Sequence, residues 1–243
     1  MQNLGQTRSS NRHDHLLQTP DTFVRTPLPG MRKSTAIVHA GPAIGARFTQ
    51  YTAEFEAGGS IDPAPAQRFI YVLAGDVEVN GVTLATGEYA YFPPKADADV
   101  SSKNGARAAI IEKLYRPVTG VAPPAFFTGR ENDIAATFLM DDEALDVRVL
   151  LPDQPAFDFA VNTMTYLPGA SLPMVEIHVM EHGLLMLEGG GIYRLGDSWY
   201  PVSKGDFIWM APFCPQWFGA IGKTAAKYLV YKDWNRAPLD TAQ

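Results

Sequence analysis

The sequence predicts an all-β protein, and three observations lead to that fold class. Short runs rich in β-branched and aromatic residues recur along the 243 residues, separated by turn signals such as Gly58-Gly59 and Asn80-Gly81. Helical periodicity is scarce, and only residues 132–139 are expected to form a short helix. The pattern also repeats, because the order of landmarks in the first half returns in the second half.

The predicted strands are short β-like runs, and glycine, proline and asparagine or aspartate residues separate them. In the first half these runs cover residues 46–55, 69–73, 77–79, 89–92 and 108–114. A proline-rich connection at residues 116–130 follows them. In the second half the runs cover residues 147–151, 159–166, 183–187, 192–195, 207–210 and 226–231.

The two halves share an ordered set of glycine and proline positions. The corresponding pairs are Gly75 and Gly189, Gly87 and Gly205, and Pro94 and Pro212. Each half therefore contains a strand, a glycine, a short hairpin, a second glycine and a loop with proline. This order is typical of cupins, so the predicted architecture is a bicupin, two jelly-roll-like barrels in tandem. We expect a disordered arm over residues 1–20, an N-terminal cupin over residues 21–125 and a C-terminal cupin over residues 126–243.

Composition argues against several classes of partner and compartment. The net charge is −6 and no stripe of Lys and Arg is present, which argues against a nucleic-acid surface. No run approaches the roughly 20 apolar residues of a membrane-spanning helix, and the polar N-terminus does not resemble a signal peptide. The single cysteine, Cys214, excludes an intramolecular disulfide and is expected to be a small packing residue. These features predict a cytoplasmic protein that binds neither nucleic acid nor membranes.

Four polar residues of the second half form a candidate metal site. Glu176 and His178 lie two residues apart, so on a strand both side chains point to one face, and His182 shares their parity. Gln216 lies four residues after Pro212, where a cupin ligand belongs. Polar groups that face a barrel interior are costly unless something satisfies them, and a divalent metal would do so.

The make-up of this ligand set indicates which metal it would bind. One carboxylate, two imidazoles and one neutral amide leave a divalent ion with a formal charge of about +1, which favours a carboxylate substrate. Mixed nitrogen and oxygen ligands with open positions suit Mn²⁺ or Fe²⁺ better than zinc. A histidine alone on a strand is more often a hydrogen-bonded structural residue, so the combination carries the prediction. The first half lacks this set, because its corresponding residues are Asp62, Ala64, Arg68 and Ala98.

Three further residues are expected to line the same interior. Tyr228 and Lys232 lie four apart on the last predicted strand, so both side chains point the same way, and Tyr193 follows a turn of three glycines. A lysine in such a wall can anchor a carboxylate, or act as acid or base if its pKa is lowered. The alternatives are core packing for the tyrosines and a solvated position for Lys232. Glu181 has the opposite parity and is expected to face outward.

The stretches at residues 176–202, 205–217 and 228–236 resemble the (S)-ureidoglycine aminohydrolase family. The resemblance implies a manganese-dependent bicupin that hydrolyses (S)-ureidoglycine to (S)-ureidoglycolate and ammonia in purine degradation. The Mn²⁺ ligands that it implies are Glu176, His178, His182 and Gln216. The catalytic and substrate-contacting residues that it implies are Tyr193, Tyr228 and Lys232, with Glu176 also contacting the substrate.

Two other functions are compatible with the residues themselves. Two histidines and one carboxylate with open positions are also a pattern of Fe²⁺ oxygenases, so a cupin dioxygenase is one alternative. The other alternative is a non-catalytic cupin that binds a small acid. Exposed β edges favour self-association in each case, and we expect a homo-oligomer.

Overall fold

The computed structural model describes residues 6–236, where regular secondary structure consists of β-strands and 3-10 turns. The all-β prediction is confirmed. The chain forms two compact units, of which one is Val24–Ile134 and the other contains the described residues before Val24 and after Ile134. We call them the N-terminal barrel and the C-terminal barrel. No helix within the described range is long and apolar enough to cross a membrane.

The N-terminal segment is ordered and belongs to the C-terminal barrel. Its elements are β1 (Ser10–Asn11), β2 (His15–Gln18) and a 3-10 turn (Pro20–Thr22). Strand β2 pairs antiparallel with residues 207–210, and Leu17 is fully buried in the core of this barrel. The prediction of a disordered arm over residues 1–20 is therefore wrong for residues 6–20, while residues 1–5 lie outside the described range. A strand this short shows little pattern in sequence, because its distant sheet partner stabilises it.

The N-terminal barrel is one curled antiparallel sheet. Its strands are β3 (Arg25–Thr26), β4 (Met31–Ala40), β5 (Thr49–Ile61), β6 (Gln67–Gly75), β7 (Val77–Val79), β8 (Val82–Leu84), β9 (Glu88–Phe92), β10 (Val100–Ser102), β11 (Ala106–Lys113) and β12 (Phe127–Arg130), with a 3-10 turn at Pro42–Ile44. The ladder runs β12-β9-β6-β11-β5-β10-β7-β8, with β4 beside β5 and β3 beside β4. Side chains such as Ile70, Val72 and Ile110 fill its core.

The C-terminal barrel combines two antiparallel sheets. Its remaining strands are β13 (Thr137–Phe138), β14 (Leu145–Val149), β15 (Phe159–Tyr166), β16 (His182–Glu188), β17 (Gly190–Leu195), β18 (Ser198–Ser203), β19 (Phe207–Met210), β20 (Gln216–Ala220) and β21 (Ala226–Asp233). The larger sheet runs β1-β2-β19-β16-β21-β15-β14-β13, and the smaller sheet runs β18-β17-β20. Leu184, Ile208 and Phe218 belong to the core of this unit.

The N-terminal barrel ends later than predicted. Strand β12 pairs with β9, with Phe127 opposite Tyr91, so β12 completes the N-terminal barrel. In the same unit the buried Glu131 accepts a hydrogen bond from the Tyr71 hydroxyl. The predicted boundary after residue 125 is wrong, because the short sequence Phe-Thr-Gly-Arg of β12 does not look like a strand until its partner is known.

The short helix predicted over residues 132–139 is also wrong. In its place the chain forms a 3-10 turn (Glu131–Asp133), strand β13 and a second 3-10 turn (Leu139–Asp141). Thr137 of β13 lies opposite Val147 of β14, so sheet pairing holds the chain extended where local sequence favours a helix.

Candidate active site

A cavity of about 140 Å³ opens inside the C-terminal barrel. The residues that the sequence analysis selected all line it: Glu176, His178, His182, Tyr193, Gln216, Tyr228 and Lys232. Apolar side chains, among them Leu172, Leu184 and Val230, form the rest of the wall. The fold thus gathers the selected side chains around a space sized for a small molecule.

Three neighbouring strands build one side of the cavity. Strand β21 lies between β16 and β15, and His182 of β16 lies opposite Lys232 of β21. Directly opposite residues of an antiparallel pair project to the same face, so both side chains reach the cavity. On the other ladder Lys232 lies opposite Ala160, whose small side chain occupies little of the space.

Glu176 and Gln216 are joined through their backbones. The Glu176 N–H donates to the Gln216 carbonyl at 2.8 Å, and the Gln216 N–H donates to the Glu176 carbonyl at 2.9 Å. This isolated β-bridge brings together two side chains that are distant in sequence. Because the two residues are directly paired, their side chains project to the same side.

Residues 177–181 form a loop, so no continuous strand connects Glu176 to His182. The Phe213 N–H holds this loop by donating to the His178 carbonyl at 2.6 Å. The side chains still meet: His178 Nε2 lies 3.2 Å from Glu176 Oε2, and the rings of His178 and His182 are 5.3 Å apart between centroids. The three side chains predicted to share one face therefore do come together, although a loop and not a strand positions them.

Glu181 is fully buried, which corrects the expectation that it faces outward. Its side chain is absent from the cavity lining and accepts a hydrogen bond from Trp209 Nε1 at 3.1 Å. Alternation along the chain predicts the side to which a residue points, but it does not predict what covers that side.

His182 tests whether the residues fit a metal ion. The residue is buried, and its Nδ1 has no hydrogen-bond partner among the described residues. Burial lowers the pKa of His182 to about 3, and the nearby His178 and Lys232 act in the same direction. The imidazole is therefore neutral, which is the form that binds a metal. With a carboxylate, a second imidazole and an amide around the same cavity, the donor set fits a divalent ion such as Mn²⁺.

Two tyrosines fix the orientation of polar groups at the cavity. The Tyr193 hydroxyl donates to Gln216 Oε1 at 3.2 Å, and the Tyr228 hydroxyl lies 2.9 Å from the Tyr166 hydroxyl. Burial raises the pKa of Tyr193 and of Tyr228 well above the usual value, so both phenols stay protonated. They can position neighbours and donate hydrogen bonds, but they are poor bases.

Lys232 brings the positive charge. Its Nζ lies 4.5 Å from the centroid of the Trp234 ring, a cation–π distance. Burial lowers the pKa of Lys232, while Asp153 and Glu176 oppose that shift. The lysine is thus placed to attract an anion into the cavity or to exchange a proton there.

Sequence reasoning missed Asn162 of β15. It lines the cavity, and its Oδ1 has no hydrogen-bond partner in the described part of the chain. A signal was present, because asparagine is rare in strands and this one interrupts the apolar run Phe-Ala-Val at the start of β15.

A second missed group consists of Asp14, His15 and Cys214, whose potential ligand atoms lie within 4.8 Å of one another. Both nitrogens of His15 already have partners, Asp14 Oδ1 at 2.8 Å and the Tyr200 hydroxyl at 2.9 Å. Burial raises the pKa of Cys214 to about 11, so the thiol stays protonated. The group is best described as a hydrogen-bonded network that fastens β2 to the barrel.

Comparisons with known proteins identify the domain and the family of the chain. A model of the cupin domain family matches residues 162–231. The chain is 39% identical over 242 residues to (S)-ureidoglycine aminohydrolase of Arabidopsis thaliana, covering 97% of this chain and 80% of that protein. It is 30% identical over 231 residues to (S)-ureidoglycine aminohydrolase of Escherichia coli (strain K12), covering 90% of this chain and 88% of that protein.

Among solved structures, the fold is similar to that of protein Ylba from E. coli. The TM-score is 0.83 at 29% sequence identity, and the match covers 95% of each chain. The similarity therefore extends over both barrels, and the predicted cupin fold is confirmed. This chain belongs to the (S)-ureidoglycine aminohydrolase family.

Proposed function

We propose that this protein hydrolyses (S)-ureidoglycine to (S)-ureidoglycolate and ammonia. One observation carries the proposal: Glu176, His178, His182, Gln216 and Lys232 surround a single cavity of about 140 Å³. A small acid that carries nitrogen donors suits such a cavity, because Lys232 can face its carboxylate while neutral phenols face its polar nitrogen groups.

Glu176, His178, His182 and Gln216 would hold a divalent cation, which we propose is Mn²⁺. When bound, the ion would supply Lewis acidity and a point where the substrate can chelate. Around it, the Tyr193 hydroxyl fixes the Gln216 amide oxygen by the hydrogen bond of 3.2 Å. The buried, neutral His182 keeps a nitrogen lone pair available.

Lys232 has the role of binding the substrate carboxylate and of exchanging protons. Ammonia leaves the substrate carbon once its amino nitrogen is protonated, and the lone pair of the ureido nitrogen assists that departure. Water then adds to the same carbon and gives up a proton. Lys232 lines the cavity, and its lowered pKa brings proton exchange nearer to neutral pH.

The cavity wall determines from which side water adds. Tyr228, whose hydroxyl lies 2.9 Å from that of Tyr166, presents a protonated hydroxyl on one part of the wall. Leu184 and Val230 present apolar surface on another part and exclude bulk water there. This asymmetry favours one handedness of product. We further propose that the reaction serves purine degradation and that the protein is a homo-oligomer.

Ammonia release from freshly generated (S)-ureidoglycine tests the function. Chelator-treated protein is assayed before and after Mn²⁺ is restored, and the chirality of the product is measured. We expect ammonia above the spontaneous rate only with Mn²⁺, together with the S product. Release no faster than the spontaneous rate would refute the proposal, and dioxygen consumption with Fe²⁺ would support the oxygenase alternative instead.

A further inference from the structure

Asn162 is a polar residue in an apolar row of the sheet. It lies opposite Val230 on the β15–β21 ladder, and Val230 lies opposite Leu184 on the β16–β21 ladder. Leu184 in turn lies opposite Ile208. These four side chains share one face, and three of them are aliphatic. A leucine or valine at position 162 would continue the apolar row.

The Asn162 amide is costly as it stands. The residue is 6% exposed, and its Oδ1 finds no partner among the described residues. A buried acceptor without a donor is destabilising, because the hydrogen bond to water that it loses on folding is not replaced. Rotating the amide group so that its oxygen and nitrogen exchange places would not help, because an unpaired donor would then replace the unpaired acceptor. An aliphatic residue would fit at this position. The unpaired acceptor therefore indicates a hydrogen-bond donor that a bound ligand supplies.

The row of Asn162 lies between two rows that carry site residues. On one side His182 and Lys232 lie opposite each other, and on the other side Met186 lies opposite Tyr228. Asn162 lines the same cavity as His182, Lys232 and Tyr228. Its carboxamide is therefore within the wall that a bound substrate would touch.

We infer that Asn162 selects the ureido group by accepting a hydrogen bond at Oδ1 from the terminal amino group of the substrate. The inference rests on the proposed function. A neutral acceptor would repel the substrate carboxylate, which Lys232 attracts. A ureido group offers N–H donors that an acyl group lacks, and a site built around a buried acceptor rejects the analogue that leaves it unpaired.

Two stable acids isolate this contact. N-carbamoylglycine and N-acetylglycine share a carboxylate and an amide carbonyl, and they differ by a terminal amino group in the first and a methyl group in the second. Both lack the amino group that leaves as ammonia, so neither is turned over. Calorimetry on the Mn²⁺-loaded protein measures the ratio of their dissociation constants. We expect the native protein to prefer N-carbamoylglycine by about tenfold.

Two variants that keep the branch at Cγ then test the residue. Asn162→Leu removes the acceptor and should bring the ratio close to one. Asn162→Asp keeps an oxygen in place and should retain a preference for N-carbamoylglycine, even if both acids bind more weakly. Thermal melting and manganese content confirm that each variant is folded and loaded. If the leucine variant does not fold, Asn162→Ser replaces it with the same expectation, because its hydroxyl is too short to reach the ligand.

The possible outcomes are distinct. A tenfold preference that survives in Asn162→Leu, or a native protein with no preference that still releases ammonia from ureidoglycine, overturns the role of Asn162 and leaves the proposed function standing. Native protein that releases no ammonia overturns the proposed function, and the inference falls with it.

Discussion

The two barrels carry different kinds of side-chain pair at corresponding positions of two neighbouring strands. In the N-terminal barrel Arg68 lies opposite Glu112, and in the C-terminal barrel His182 lies opposite Lys232 on the corresponding strands. Arg68 Nε donates to Glu112 at 2.7 Å, and the Tyr51 hydroxyl donates to the same carboxylate at 3.0 Å. The N-terminal barrel closes this position with an ion pair, whereas the C-terminal barrel leaves polar groups facing a cavity.

The contrast extends along the neighbouring strands. By register, the N-terminal residues Phe55, Val79, Ala98 and Ala108 correspond to the C-terminal residues Tyr166, Tyr193, Gln216 and Tyr228. One barrel therefore places apolar side chains where the other places hydroxyl and amide groups. Around Arg68 and Ala98 the structure leaves no space for a water-sized molecule, whereas the C-terminal cavity measures about 140 Å³.

This difference shows how one fold serves two purposes. A position filled by satisfied charges and apolar groups adds rigidity but has nothing to offer a ligand. A position lined with unpaired polar groups lowers the stability of the fold, because each group loses its hydrogen bonds to water and gains none from the protein. The same groups are then available to bind a ligand. We infer that the N-terminal barrel is a structural partner and that the chemistry is confined to the C-terminal barrel.

The largest expected effect comes from the C-terminal position. His182→Ala should lose bound manganese and slow ammonia release roughly 10³-fold or more, because Lewis-acid catalysis is worth several kcal/mol. Steady-state assays together with elemental analysis check this. A variant that kept both its manganese and its activity would show that His182 is not a metal ligand, and it would contradict the proposed difference between the two barrels.

The matching change in the N-terminal barrel should affect stability alone. Arg68→Met leaves Glu112 without its ion pair, and removing one partner of a mostly buried pair costs about 3 kcal/mol. Denaturant unfolding should show that loss, while kcat and manganese content stay at the native level at temperatures where the variant is folded. A large fall in kcat for folded protein would assign the N-terminal barrel a part in the reaction.

A smaller effect is expected at Tyr193. Tyr193→Phe removes the hydrogen bond to Gln216 and should weaken Mn²⁺ binding about tenfold, since groups that orient metal ligands have effects of this size. Metal titration followed by calorimetry measures the change. The control is Tyr91→Phe, which removes the hydrogen bond of the Tyr91 hydroxyl to Gln67 in the N-terminal barrel and should leave Mn²⁺ affinity unaltered.

The smallest effect concerns pH. Burial lowers the pKa of His39 in the N-terminal barrel to about 3, and its Nε2 lies 2.9 Å from the Thr52 hydroxyl. Below pH 6.5 the unfolded chain takes up a proton that the folded His39 refuses, so the stability contributed by the neutral form falls as pH drops from about 6.5 towards 3. At pH 6 the loss is below about 1 kcal/mol.

His39→Gln should therefore flatten the decline of unfolding free energy between pH 7 and pH 6. Denaturant unfolding at several pH values, with native protein as the reference, measures the slope. An unchanged slope would mean that His39 does not contribute to the acid sensitivity of the N-terminal barrel.

Much of the fold follows from local sequence. Strands β7, β15 and β19 have the predicted bounds, because each is a short run rich in strand-forming residues that is closed by a turn signal. Strands β2, β12 and β13 were missed, because they are short segments that become strands only through pairing with a distant partner.

The sequence predicted which residues form the candidate site better than it predicted how the chain positions them. The type and spacing of Glu176, His178 and His182 indicated a metal site, and these side chains do line one cavity. The loop at residues 177–181 was not foreseen, since the Phe213 contact that holds it comes from a distant part of the chain. Asn162 was missed although an asparagine within a predicted strand is an unusual feature, because the sequence does not show that its side chain lines the cavity.

Counting the metal ions in each chain tests the central claim most directly. Purified protein is stripped with a chelator, reloaded with Mn²⁺, freed of excess ion and analysed by elemental analysis beside His182→Ala and Arg68→Met. The contrast between the barrels predicts one manganese per chain in the native protein and in Arg68→Met, and none in His182→Ala. Two ions per native chain, no ion, or an ion retained by His182→Ala would contradict it.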